Sequence, residues 1–188
     1  METFRPALLL AVPLTCAMLL MPVGAASAAG CPNEMLVPNA NNTLLIGVAT
    51  RCLINQERAR FGRKPLASSA ALNVPAQRFA QLMVSQRFFG HVGPEGDSVL
   101  LRVKRQSNYI SKRTGRYALG ENIAWGSDEL GSPLQIVDFW MHSSGHRRNI
   151  LDRTYRDVGI GVASGAPEDV GGDPAGTYST VFGQQSKR

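Results

Sequence analysis

Phe139-Trp140-Met141-His142-Ser143-Ser144-Gly145-His146-Arg147-Arg148-Asn149-Ile150-Leu151 is the stretch on which the fold turns. It reads as the end of one helix, a break, and the start of another. Just upstream, Ser132-Pro133-Leu134-Gln135 has a capping-box pattern with proline at the first helical position. The helix it opens would present Leu134, Val137, Phe139, Trp140 and Met141. Ser144-Gly145 ends it, and His146 to Leu151 has room for a further turn or two. Two of the three histidines in the chain, His142 and His146, therefore flank a break rather than line a continuous helix face.

Outward from that stretch, helical and extended patterns alternate. Downstream, Val158–Ala163 and Thr177–Phe182 are short and rich in β-branched and aromatic residues, which predicts two strands. A Gly/Pro/Asp-rich loop joins them as an antiparallel pair. Upstream, Gly120-Glu121-Asn122-Ile123-Ala124-Trp125-Gly126 sets one carboxylate among small and apolar residues. Arg102 to Gln106 predicts a short helix, with a basic loop from there to Leu119. Gly90-His91-Val92-Gly93-Pro94-Glu95-Gly96 must be a loop. Before it, Asn73 with Pro75 in the first turn opens a helix carrying Ala76, Phe79, Ala80, Met83 and Val84 inward, as far as Phe88. The first helix starts at Asn42 or Thr43, places Leu45, Val48, Ala49, Cys52 and Leu53 at helical spacing, and ends at Gly62 and Pro65. No repeat and no linker divides this region.

The first 29 residues read differently. Arg5 precedes an apolar run from Ala7 to Met21, and small residues follow to Ala29. This is the layout of a cleaved export signal. As an anchor the run falls short of the ~20 residues a spanning helix needs, and Pro13 and Pro22 interrupt it. What remains, residues 30–188 with a core over about 44–184, fits one domain of about 100–200 residues. Cys16 leaves with the signal, so Cys31 and Cys52 form an even pair, read in an oxidising compartment as one disulfide. A competing reading takes Ala28-Ala29-Gly30-Cys31 as a lipoprotein cleavage site with Cys31 acylated; the aliphatic residue expected three places before the cysteine is missing. Processing removes one acid, Glu2, and one base, Arg5, so the net charge of +6 survives. Such a protein would be held near anionic envelope polymers or lipid headgroups. The bases, among them Arg58, Arg63, Lys64, Arg102, Arg147 and Arg148, are dispersed and read as a solvated surface, with no face for nucleic acid.

On pattern alone, loop histidines and a semi-buried carboxylate are material for a metal site, for proton transfer, or for structural hydrogen bonds. The ordered set of segments says more. Leu53-Ile54-Asn55-Gln56-Glu57-Arg58, Phe89-Gly90-His91-x-Gly93-Pro94-x-Gly96, Gly120-Glu121-Asn122-Ile123-Ala124, the Phe139–Leu151 stretch, Val158-Gly159-Ile160-Gly161-Val162 and Val181-Phe182-Gly183 resemble the CAP superfamily of cysteine-rich secretory and venom-antigen proteins, in its exported bacterial form. The resemblance covers nearly all of the chain from Arg51 on. It implies an α/β fold, an α-β-α sandwich with a small, mainly antiparallel sheet between helical layers. It also implies a cleft lined by His91, His146 and Glu121, in which some members bind a divalent metal. Neutral imidazoles with a carboxylate suit zinc, with His91 and His146 as ligands. Ser143 stands where eukaryotic members carry a second glutamate, and Tyr178 and Thr180 where a tryptophan and a glutamine are usual. His142 is not a cleft position in the family.

Three functions follow as expectations. The first is a secreted, non-catalytic extracellular or envelope binding module for a lipid or other small hydrophobic ligand. The second is a metal-dependent hydrolase built on His91, Glu121 and His146, with Glu121 as general base. The third is a structural envelope protein. A hydrolase wants one carboxylate for the metal and another for the proton, and Ser143 removes the second, so the binding reading leads.

Overall fold

The computed structural model describes Met1 and residues 30–187, without the side chain of Lys187; the export signal read over residues 1–29 otherwise lies outside the described residues. In chain order the elements are α1 (Thr43–Arg60), β1 (Ala67–Ser68), α2 (Ala70–Ser85), α3 (Val99–Gln106) and β2 (Thr114–Ser127). A 3-10 turn (Asp128–Gly131), α4 (Pro133–His142), α5 (Ser144–Leu151), β3 (Asp157–Ser164) and β4 (Ala175–Lys187) complete them. The sheet order is β1-β3-β4-β2, with only the β1–β3 pair parallel. Alternation along the strands splits the core in two. Tyr178 and Phe182 of β4 and Ala124 of β2 face α1, α4 and α5, meeting Ile46, Leu53, Ile54, Val137 and Trp140. Val181 and Ile123 face α2 and α3, meeting Leu72, Ala76, Val103, Phe79 and Met83. The expected α-β-α sandwich is what forms.

Several boundaries move for identifiable reasons. The segment expected as a basic loop as far as Leu119 is a loop only to Arg113; from Thr114 on it is the first half of β2, paired with β4 from Thr114↔Lys187 to Ser127↔Ala175. Glycine, glutamate and asparagine are poor strand formers, and the pairing overrides them. Helix α2 starts at Ala70, one turn before Asn73, with Pro75 inside it. Asn73 does not cap: its Oδ1 accepts from the Ile160 N–H at 3.0 Å, and Gln77 exchanges two hydrogen bonds with Val162. These amides occupy the edge of β3 beyond its short pairing with β1. The approach is close, for a Cβ at Gly159 or Gly161 would overlap the backbone of Leu72 or Ala76.

The remaining shifts are smaller. Helix α3 begins at Val99, and the capping box at Ser132 does not form. The break between α4 and α5 falls at Ser143, with Gly145 inside α5. Leu45 and Val48 point outward at 50% and 57% exposure; the buried face of α1 is Ile46, Ala49, Thr50, Leu53, Ile54 and Arg58. Its end is a Schellman motif on Gly62 (φ 62°), with Gly62 N–H to Ala59 O and Arg63 N–H to Arg58 O. Cys31 and Cys52 form a disulfide, Cα–Cα 5.8 Å, which ties the N-terminal segment to α1. Closing a loop of that length is worth about 3 kcal/mol in the chain-entropy model.

Candidate functional site

Strand β2 is outermost in the sheet, so side chains from both helical layers come together at its free edge. Alternation sends neighbouring residues to opposite layers. Glu121, on the face of Ile123, meets α3 and the loop after α2. One carboxylate oxygen, Oε1, accepts from Arg102 Nη2, and Oε2 lies 2.9 Å from His91 Nδ1. An ionised carboxylate only accepts, so His91 donates through Nδ1 and has Nε2 remaining. Arg102 Nη1 also holds the loop itself, donating to the carbonyls of His91 (3.1 Å) and Asp97 (2.7 Å). Its guanidinium lies 3.3 Å from the Phe79 ring centroid.

Asn122 points the other way, to α5. Its Nδ2 donates to the His146 carbonyl at 3.1 Å, while Asn149 Nδ2 donates to Asn122 Oδ1 (2.8 Å) and to the Glu121 carbonyl (3.0 Å). These bonds fix the start of α5 and with it His146, whose ring sits 6.1 Å from that of Phe139 and 6.5 Å from that of Trp140. Burial first, and the charge of His91 second, lower the pKa of His146 from its usual value. The two histidines are thus within electrostatic reach of each other. His146 Nδ1 is buried without a hydrogen-bond partner among the described residues. His91 remains 56% exposed.

His142 lies outside the His91–Glu121–His146 cluster, exposed, with Nδ1 2.9 Å from the Asp138 carbonyl, and lines a neighbouring groove. Tyr178 is buried and donates to the Gly131 carbonyl at 2.6 Å, while burial raises its pKa. Thr180 is buried opposite Asn122 in the β2–β4 register. Arg102 joins the site although a charge count reads it as solvated. The signal available for it is its place in the apolar run Val99-Leu100-Leu101-Arg102-Val103.

Beside this cluster is a groove of about 540 Å³ between the end of β2, the 3-10 turn and α4. Phe89, Trp125, Leu130, Ile136 and Phe139 line it. Phe139, one of the apolar residues the helix is expected to present, is 59% exposed at its rim, because α4 buries Ile136, Val137 and Trp140.

A sandwich with a His–carboxylate–Arg cluster at one sheet edge and an open apolar groove beside it defines a class of small cleft-bearing domain. The family model "CAP: Cysteine-rich secretory protein family" matches residues 52–182, and the chain belongs to that family. It is 37% identical over 115 residues to YkwD of Bacillus subtilis (strain 168), covering 61% of this chain and 41% of that protein. Among solved structures, an SCP-domain extracellular protein of Bacillus anthracis str. Ames matches with TM-score 0.56 and 23% identity, over 75% of this chain and 39% of that one. An outer surface protein of Borrelia burgdorferi matches with TM-score 0.58 and 15% identity, over 80% of this chain and 98% of that one. These structural likenesses bear on the fold alone.

Proposed function

We propose that this is an extracellular, non-catalytic binding module whose groove beside the histidine cluster takes a small hydrophobic ligand. The observation that carries it is the groove's rim, where Phe89, Leu130 and Phe139 are 47%, 66% and 59% exposed around one concavity. Large apolar side chains gathered in water mark a binding surface, and the volume lies within the roughly 300–1,000 Å³ of ligand pockets. Gln135, Asp138 and His142 also line the groove and offer a polar end to an amphipathic ligand. The hydrolytic alternative needs a carboxylate free to take a proton. Glu121 is engaged on both oxygens, by Arg102 and by His91, which favours binding over catalysis. Among the described residues no helix is long and apolar enough to cross a membrane. The extracellular assignment rests on the family, which is one of secretory proteins.

Titration with cis-parinaric acid, a fluorescent fatty acid, tests the groove. The wild-type protein binds the probe, and Leu130→Asp or Phe139→Asp, both exposed and harmless to folding, abolishes binding. A wild type that takes up no probe, or variants that bind as well, overturns the reading.

The family resemblance also implies a divalent metal, and the residues fit one in a particular way. Among the described residues no three His, Cys, Asp or Glu side chains cluster as ligands. His91 through Nε2 and the His146 imidazole would hold a zinc ion, with Glu121 behind His91 as the orienting carboxylate. The ion would supply a Lewis-acidic cross-link between the two helical layers. Zinc then raises the melting temperature at neutral pH, His91→Ala removes the rise and His142→Ala keeps it. No rise with wild type refutes the site.

A further inference from the structure

The end of α1 and the turn after α5 converge on a recess of about 210 Å³ lined by Arg58, Gly62, Arg63, Lys64, Arg153 and Arg156. It shares no lining residue with the apolar groove. All of its lining residues but the glycine are cationic. Arg58 is buried at 1% exposure, while Lys64, Arg153 and Arg156 are exposed around it.

The guanidiniums are held in place by neutral groups. Arg58 donates through Nε to the Lys64 carbonyl (2.8 Å) and through Nη1 to those of Ile150 (2.6 Å) and Asp152 (2.9 Å). Arg63 Nε donates to the Leu151 carbonyl at 3.0 Å. Arg156 Nη1 gathers the carbonyls of Arg153, Thr154 and Tyr155. Carbonyl bonds orient a cation without cancelling its charge. Among the described residues none of the five cations forms an ion pair with a carboxylate; the ion pairs lie at Arg60–Glu57, at Glu121 and at His142–Asp138. Asp152, the acid that acts on Arg58, has Oδ1 engaged by the Thr154 N–H at 2.7 Å. Uncancelled repulsion leaves its mark on Arg58, whose pKa is lowered by burial first and then by Arg156 and Arg63, against an opposing pull from Asp152.

We propose that this recess binds a phosphoryl group. The donors come from α1, from the turn at Arg63–Lys64 and from the turn at Arg153–Arg156, so they surround the space instead of presenting one planar fork. That arrangement suits a tetrahedral oxyanion with several acceptor oxygens better than a planar carboxylate, which one guanidinium can satisfy. Arg58 is preorganised by its carbonyls, so binding orders little that is not already ordered. The same chemistry is met in a soluble phosphate ester and in a phospholipid headgroup.

Calorimetric titration with inorganic phosphate, and co-sedimentation with phosphatidylcholine vesicles with and without phosphatidic acid, test the site in low-salt buffer. The paired change Lys64→Gln/Arg153→Gln alters only exposed side chains and leaves Arg58 and the fold alone. Lys112→Gln/Arg113→Gln removes the same charge elsewhere on the surface. Binding weakens at least about tenfold in the first variant and stays within about twofold in the second. Uptake of free phosphate assigns a soluble phosphorylated ligand; uptake on phosphatidic acid vesicles alone assigns a headgroup. Binding of neither probe by the wild type, or equal losses in the two paired variants, overturns the proposal.

Discussion

Arg58 and Arg102 are both almost wholly buried, at 1% and 2% exposure, and they stand in opposite helical layers of the sandwich. Each holds a turn of the chain by donating to main-chain carbonyls, Arg58 to three and Arg102 to two. The difference is what happens to the charge. Arg102 meets the buried carboxylate of Glu121, which in turn orients His91, so its charge is consumed inside the molecule. Arg58 forms no ion pair and feels Asp152 only at a distance, against Arg156 and Arg63, so its charge remains available at a recess open to solvent. A buried arginine is therefore not one kind of object. Its ion-pairing decides whether it organises a site from within or addresses a ligand from outside.

The sharpest way to break this comparison is to remove each arginine in turn. Arg102→Ala leaves Glu121 as an uncompensated charge that is 8% exposed, and should destabilise the fold by about 3–5 kcal/mol. Adding Glu121→Leu should recover part of that loss, because the unpaired carboxylate is its main source. Denaturant unfolding of the three variants measures both numbers. A loss that Glu121→Leu deepens instead would show that Arg102 acts chiefly through the loop carbonyls and Phe79.

Arg58→Ala comes next in size, at about 1–3 kcal/mol. It frees three carbonyls, but the adjoining recess admits water to them, and the change relieves repulsion with Arg63 and Arg156. Equilibrium unfolding in the same series gives the value. A loss equal to that of Arg102→Ala would erase the distinction between the two sites.

Much of this layout is legible in the sequence where the signal is local. Gly62 ends α1, Pro133 opens α4, and Val158–Ala163 pairs antiparallel with Thr177–Phe182, all for reasons carried within a few residues. The motif resemblance points to His91, Glu121 and His146 as cleft residues, the role proposed for them, and the first two stand 2.9 Å apart. What stays hidden depends on distant partners. The extension of β2 back to Thr114 comes from β4, not from its own glycines, and the outward turn of Phe139 follows from which face of α4 meets the sheet. Arg58 and Arg102 read as solvated because a charge count cannot see a carbonyl 92 residues away in sequence or a carboxylate on the next strand. The Cys31–Cys52 pairing, read from the even count of cysteines, is present.

The smallest effect expected is a pH dependence that belongs to the histidine cluster and not to the cationic recess. Burial, and then the charge of His91, hold the pKa of His146 below the ordinary histidine value. Such a group binds fewer protons folded than unfolded. Its contribution to stability is complete above the unfolded-state value of about 6.5, and is lost as pH falls from there through the folded-state pKa. Melting temperatures of the metal-free protein, taken with a chelator present, should therefore fall between about pH 7 and pH 5.5. His146→Gln should flatten that slope, since glutamine takes up no proton. Arg58→Ala should keep it, because no histidine lines the cationic recess. A slope that survives His146→Gln would move its origin away from the cleft, and one that vanishes with Arg58→Ala would mean that the recess and His146 are coupled through α5, whose Ile150 carbonyl Arg58 holds.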